Sequence, residues 1–233
     1  MSKYRLTHHQ IIESALTKFN ADFFYENNII FGGGTRIALE LDEYRESVDI
    51  DFLCPNKQSY RAVRSSVTNV RLNKLVNEEF HYPREIRADR DAVRTIIKHE
   101  GVNIKLEFVS FADYDLKLEN DTNKFVVPYL DRASCFYTKL LANSDRKLQE
   151  PYKDIFDLLA MYKAWGNIPE GAIKLAEAYY GEAVIIPSLR SALKDIIKRK
   201  KDYYSAAKRV KMKDEWANEL IDIQALNLLE KFK

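Results

Sequence analysis

Cysteine is almost missing: Cys54 and Cys135 are the only two among 233 residues, with no CxxC and no Cys/His grouping. Nothing therefore indicates a disulfide framework or a zinc site, and a reducing compartment such as the cytoplasm suits both thiols. Long apolar runs are missing too. No stretch approaches the roughly 20 residues that cross a bilayer, and Met1 to Gln10 is polar where a secretory leader would be apolar. The expectation is a cytoplasmic protein with no membrane partner. A dominant charge sign is also lacking: 37 Lys and Arg against 35 Asp and Glu leave +2, so the overall balance makes no case for nucleic acid. Internal repeats and low-complexity linkers are absent. What remains is 46% hydrophobic and 31% charged, the composition of a globular chain long enough for one large domain or two small ones.

Periodicity organises the first half. Thr7 and Gln10 have capping-box spacing, and Ile11, Ile12, Ala15, Leu16, Phe19, Phe23 and Phe24 recur at helical intervals, predicting a helix over 8–26. Asn28 to Phe31 reads as a short buried strand that stops at Gly32-Gly33-Gly34, and Thr35 to Leu41 as a helix. Val48 to Leu53 alternates, so Asp49 and Asp51 share one face of a strand while Val48, Ile50 and Phe52 share the other. Residues 57–80 carry apolar residues at helical spacing. Ala92 to Lys98 and Asn103 to Phe111 predict a hairpin about Glu100-Gly101, with Glu107 on a polar strand face and an Asp- and Asn-rich loop after it.

From Asp131 the pattern is helix after helix: 131–146, 151–164, 169–180, 187–210 and 213–232, with Pro151, Pro169 and Pro187 near the starts. The predicted class is α+β: a lobe over 1–130 with a small mixed sheet flanked by helices, then an all-helical lobe over 131–233 that completes an active-site cleft.

A strand that ends in glycines and opens onto a helix exposes backbone N–H groups where an anion is favoured. Thr35 adds a hydroxyl that can donate to a phosphate oxygen or cap the helix. Asp49 and Asp51 offer hard oxygen ligands of the kind Mg²⁺ prefers. Either feature alone has an ordinary structural explanation; together they supply the parts of a metal-assisted phosphoryl-transfer site. Glu107 is the candidate third carboxylate, with a surface ion pair to Lys105 or a cross-strand basic residue as the alternative.

The series Gly32-Gly33-Gly34-Thr35, Leu39, Arg45-Glu46-Ser47 and Asp49-Ile50-Asp51-Phe52 resembles the signature of the nucleotidyltransferase AbiEii/AbiGii toxin family, within the polymerase-β-type nucleotidyltransferase superfamily. Lys139, Leu140, Ala142 and Arg146, followed by Lys153-Asp154-Ile155-Phe156-Asp157-Leu158, resemble its helical motif, and the likeness spans about 30–165. The resemblance implies that Gly34 and Thr35 hold a triphosphate; Gly33 and Arg146 are further candidate nucleotide contacts. The resemblance also implies that Asp49 and Asp51 bind Mg²⁺ or Mn²⁺, with Glu107 the candidate third ligand, and that Lys139 and Asp154 are catalytic. In such enzymes the third carboxylate is often Asp, and here it is Glu107.

Lys194, Lys198, Arg199, Lys200, Lys201, Lys208, Arg209, Lys211 and Lys213 cluster around Tyr203 and Tyr204, with Asp195 and Asp202 as the acids among them. Basic residues interleaved with aromatics can track a nucleic-acid backbone and stack bases. The expected function is transfer of a nucleoside monophosphate from an NTP to an acceptor hydroxyl with release of pyrophosphate, in a toxin of a toxin–antitoxin or phage-defence (abortive infection) system. RNA, by analogy a tRNA 3′ end, is the expected acceptor, and a cognate antitoxin a further partner. A protein or small-molecule hydroxyl, such as one on an antibiotic, is the alternative acceptor; a non-catalytic module binding RNA or protein is the alternative class.

Overall fold

The computed structural model describes residues 2–111, 113–121 and 123–232, so Met1 and Lys233, the outer limits of the two expected lobes, lie outside the described residues. The chain divides into two compact units: Met1–Glu40 with Val48–Asp131, and Leu41–Ser47 with Arg132–Lys233. Nothing in the hydrophobic pattern foreshadows that the seven residues between the glycine turn and the Asp49 strand belong with the helices.

The first unit runs α1 (Thr7–Leu16), α2 (Ala21–Glu26), β1 (Ile30–Gly32), α3 (Gly33–Glu40), β2 (Asp49–Cys54), α4 (Lys57–Ser66), β3 (Arg87–Ala88), β4 (Ala92–His99) and β5 (Val102–Ser110). The helix expected over 8–26 is two helices, because Asn20 turns the chain and accepts a hydrogen bond from the Phe23 backbone N–H, capping α2. Thr7 makes no capping box: Leu6 stands at the cap of α1 without a side-chain bond, and the Gln10 amide donates to the Tyr4 carbonyl instead. The helix expected over 57–80 stops at Ser66, and a 3₁₀ turn, Asn73–Leu75, follows.

The strands form one mixed five-stranded sheet in the order β1-β2-β5-β4-β3. β1 is antiparallel to β2, β2 parallel to β5, β5 antiparallel to β4, and β4 antiparallel to β3. Alternation along β2 sends Ile50 and Phe52 into the core, both fully buried. Phe52 is the centre of an aromatic cluster, with ring centroids 4.8 Å from Phe24, 4.9 Å from Phe19, 5.1 Å from Phe108 and 5.9 Å from Phe31. Burying these rings fixes which face of β2 is turned away from the core, and that face carries the aspartates.

The second unit contains α5 (Arg132–Arg146), α6 (Lys153–Trp165), α7 (Glu170–Tyr180), α8 (Glu182–Lys198), α9 (Lys200–Arg209), α10 (Asp214–Asn218), a π-helical stretch (Glu219–Gln224) and α11 (Ala225–Lys231). Its core is built from the apolar stripes of these helices, including Leu140, Ile155, Leu158, Leu189, Leu193, Ile196, Leu220 and Leu228, all buried. α8 begins at Glu182, not at Pro187: the proline lies inside the helix, where it forgoes a backbone bond and crowds the carbonyl four residues before it. The continuous helix expected over 187–210 breaks at Arg199, whose φ of −122° and ψ of 39° are not helical.

Replacing Phe52 by Ala removes the ring that four other phenylalanines pack against. The expected cost is about 3–5 kcal/mol of stability, read as a lowered urea midpoint; a loss below about 1 kcal/mol would show that the cluster does not organise the sheet.

Candidate active site

The glycine turn and the aspartate strand are adjacent by register: Gly32 of β1 lies opposite Asp51 of β2. Gly33 then has a φ of 69°, a left-handed conformation that favours glycine. Space makes the same demand, since a Cβ on Gly33 would stand 2.2 Å from Asp51 Oδ2. The turn backbone is thus packed against an Asp51 carboxylate oxygen, and the first N–H groups of α3 begin there. Thr35 is fully buried, and its hydroxyl donates to the backbone carbonyl of Asp49. That bond ties α3 to the start of β2 and uses the proton that the sequence offered to a phosphate. Arg36, which sequence reasoning passed over, is also fully buried; its Nε donates to the Leu130 carbonyl at 3.1 Å and its Nη1 pairs with Glu40 at 2.6 Å.

The parallel register of β2 and β5 sets Asp49 beside Lys105 and Asp51 beside Glu107, so all four side chains share one sheet face. Glu107 is engaged on both oxygens: Arg94 Nε donates to Oε1 at 2.9 Å and Lys105 Nζ to Oε2 at 2.7 Å. Arg94 Nη1 also reaches Asp89 Oδ2 at 2.7 Å. Partial burial disfavours the Lys105 charge, but Glu107 above all, then Asp49 and Asp51, hold its pKa above that of an ordinary lysine. Among the described residues no three His, Cys, Asp or Glu side chains converge as a ready metal cage. Two aspartates two residues apart on one strand face do fit a divalent ion that takes its other ligands from water and phosphate, the usual habit of Mg²⁺. The Gly33 turn, which admits no Cβ beside Asp51, leaves backbone next to that carboxylate where a phosphate could approach.

In the second unit Lys139, Arg146, Asp154 and Asp157 come together with Tyr44 and Arg45. Lys139 Nζ sits 2.9 Å from Asp154 Oδ1 and 2.6 Å from Asp157 Oδ2, which are one helical turn apart on α6. Arg146 Nε donates to Asp154 Oδ2 at 3.0 Å. Arg45 forks onto Asp157, Nε to Oδ1 at 2.9 Å and Nη2 to Oδ2 at 3.0 Å, and Tyr44 Oη donates to the same carboxylate. Its Nη1 donates to the Glu46 carbonyl at 2.9 Å, fixing the backbone of Leu41–Ser47. Burial, the largest influence on Lys139, opposes its charge, yet Asp154 and Asp157 outweigh it and raise the pKa. Burial likewise acts to raise Asp154, and Lys139 and then Arg146 overcome it and hold the carboxyl low. Burial pushes Tyr44 up, so its phenol stays protonated as a donor. No role for the Arg45–Asp157 pair was legible beforehand; the only signal was that both fall inside the motif series.

The basic segment is more neutralised than its local sequence suggested. Acids distant in sequence pair with it: Lys200 with Asp222 at 2.6 Å, Lys211 with Glu46 at 2.9 Å, Lys213 with Asp42 at 3.0 Å, and Arg209 with Glu150. Arg199 bridges Asp195 and Asp202. Tyr203 is no stacking platform for a base, because it is fully buried with its ring on Tyr152 at 4.2 Å. Tyr204 Oη is bound to Asn218 at 3.0 Å and Asp222 at 2.6 Å.

Two solved structures share this fold. JHP933 from Helicobacter pylori matches with a TM-score of 0.55 and 18% identity over 100% of this chain and 94% of its own. An H. pylori chain provisionally assigned as a nucleotidyltransferase matches with a TM-score of 0.56 and 18% identity over 100% and 97%. No curated protein matches the sequence. The architecture is that of the nucleotidyltransferases. More specifically, residues 14–227 match the family described as nucleotidyl transferase AbiEii toxin of type IV toxin–antitoxin systems, and the chain belongs to that family. It is a nucleotidyltransferase.

Removing Asp157 leaves buried Arg45 without its carboxylate and Lys139 with only one of two, so Asp157→Ala is expected to cost about 3–5 kcal/mol, whereas Arg146→Ala, whose side chain is 55% exposed, should cost at most about 1 kcal/mol. Equal losses in urea denaturation would contradict this division. Asp154 titrates below its unfolded value of about 3.9, so its contribution is complete above that pH and fades as pH falls through the lower folded value. Below about pH 4 the wild type should therefore lose more stability than Asp154→Asn; parallel acid profiles for the two would dismiss the linkage.

Proposed function

We propose that this enzyme binds an NTP at the Gly33–Gly34–Thr35 turn, with Mg²⁺ or Mn²⁺ at Asp49 and Asp51, and transfers the nucleoside monophosphate to an RNA hydroxyl. The observation that carries the reading is the packing of the Gly33 backbone against Asp51, with Asp49 two residues away on the same strand face. Phosphate binding falls to the backbone N–H groups at the start of α3, because the Thr35 hydroxyl is already bonded to the Asp49 carbonyl. The role of Thr35 is then to hold the turn and the aspartate strand in one geometry. When bound, the divalent ion would neutralise triphosphate charge and polarise the α-phosphoryl group.

In the transfer step the acceptor hydroxyl oxygen forms a bond to the α-phosphorus. The bond from that phosphorus to the α–β bridging oxygen breaks, and pyrophosphate leaves with the electron pair. The hydroxyl proton passes to solvent or to a nearby carboxylate. Glu107 is tied to two cations and Asp154 to Lys139 and Arg146, so either would act as a base only after losing a partner. Lys139 and Arg146 remain candidate catalytic cations of the second unit, each already engaged by Asp154.

RNA is favoured as acceptor by membership of a toxin family and by Lys194, Lys198, Lys201 and Lys208, basic residues of α8 and α9 outside the ion pairs described above. A cognate antitoxin is the further partner that a type IV system implies.

The test is transfer of label from each of four α-³²P NTPs, with Mg²⁺ or Mn²⁺, into total RNA, purified tRNA or protein. Asp49→Ala and Asp51→Ala should lose at least about a hundredfold in rate while keeping the wild-type circular dichroism. Label in RNA from the wild type alone supports the proposal; label in protein moves the acceptor to a protein hydroxyl; full activity in either variant removes the site.

A further inference from the structure

The polar face of the sheet holds a cation that the sequence offered only as an ion-pair partner for Glu107, and that pairing is present together with one to cross-strand Arg94. Lys105 lies opposite Asp49 in the parallel register, two residues before Glu107 and on the same face. Its ammonium group is drawn to Glu107 Oε2 at 2.7 Å, while Arg94 Nε takes Oε1 at 2.9 Å and Asp89 steadies Arg94 from the other side at 2.7 Å. A third carboxylate at this place would ordinarily be read as a ligand for a second divalent ion. Here a divalent ion reaching Glu107 would come close to an ammonium and a guanidinium and be repelled by both. The Glu107 side of the site is already charge-compensated by the chain itself.

We propose that Lys105, anchored by Glu107 and beside Asp49, supplies the second positive charge of this active site, so that the enzyme takes one divalent ion at Asp49 and Asp51 and not two. The inference rests on the reading of these aspartates given above. An ammonium carries three donors, and the one directed at Glu107 leaves others for an α-phosphoryl oxygen or the entering hydroxyl oxygen. Arg94 is then a positioning residue that holds Glu107, and Glu107 a positioning residue that holds Lys105. The substrate class is unchanged, a nucleoside triphosphate; what changes is which group meets the charge that develops on the phosphorus side facing β5.

The experiment is to count ions in crystals of the full chain grown with MnCl₂ and an α,β-methylene NTP, using the manganese anomalous signal, for the wild type, Lys105→Ala and Lys105→Arg. The wild type should show a single manganese at Asp49 and Asp51, and Lys105→Ala, which releases Glu107 Oε2 while Arg94 stays on Oε1, a second one at that oxygen. In transfer assays Lys105→Ala should lower kcat about a hundredfold with little change in KM, and Lys105→Arg should recover part of it. Two manganese ions in the wild type, one of them on Glu107, would overturn the proposal, as would a Lys105→Ala variant with wild-type kcat. A wild-type crystal with bound nucleotide and no manganese at the aspartates would overturn the active-site reading itself, and the proposal with it.

Discussion

The pairing of β2 between β1 and β5 is the constraint on which the first unit depends. Its side chains alternate between two incompatible environments, Ile50 and Phe52 in an aromatic core and Asp49 and Asp51 on a polar face. A slip of one residue would bury both carboxylates and expose Phe52, so the hydrophobic effect sets the register far more firmly than the ladder of hydrogen bonds could alone. Once the register is set, the neighbours follow: Gly32 opposite Asp51 on one side, Lys105 and Glu107 beside the aspartates on the other. The chemistry-bearing face is in this sense a by-product of where the phenylalanines must go.

The second unit solves a different problem. Three cations, Arg45, Lys139 and Arg146, meet two carboxylates, Asp154 and Asp157, in a region where Arg45 and Asp157 are almost wholly buried. Desolvating such charges is expensive, and the arrangement is tolerable only because each Asp157 oxygen is met by more than one donor. Nonpolar residues of similar volume would often be as stable. What the ions add is direction: Arg45 binds Asp157 and the neighbouring Glu46 carbonyl together, which ties the Arg45–Glu46 backbone to α6.

How far the sequence could be read depended on the range of the interaction concerned. The alternation of Val48 to Leu53 and the glycine triplet are local patterns, and they located β2, β1 and α3 within a residue or two. The break between α1 and α2 was less legible, because the apolar spacing runs through Phe19 without interruption and only the Asn20 cap divides it. Long-range charge pairing was not legible at all. Glu46, Asp42 and Glu150 neutralise residues about 60 to 170 positions away, so a basic run that looked lightly opposed by its two local acids is heavily opposed in space. Lys105 was legible as a local partner for Glu107 but not as a neighbour of Asp49, which needs the register of two strands separated by half the first unit. For the site, residue types were visible from the motif series, whereas the donors already committed, such as the Thr35 hydroxyl, were not.

The two charge clusters differ in how readily they can rearrange, and that difference bears on their use. Lys105 and Arg94 are about half exposed, so their ion pairs with Glu107 are screened by water and individually weak. A polyanionic nucleotide carries more charge than Glu107 and could compete for the same ammonium at small cost. Asp157 has no such freedom: it is fully buried between Arg45 and Lys139, and releasing either cation would leave charge unpaired in a poorly solvated place. A cluster that must exchange partners during turnover belongs where water lowers the cost of exchange, and one that holds a backbone segment in place belongs where water cannot enter. By that criterion the β2–β5 face is suited to meeting substrate charge, and the Arg45–Asp157 pair to holding the chain that leads into it.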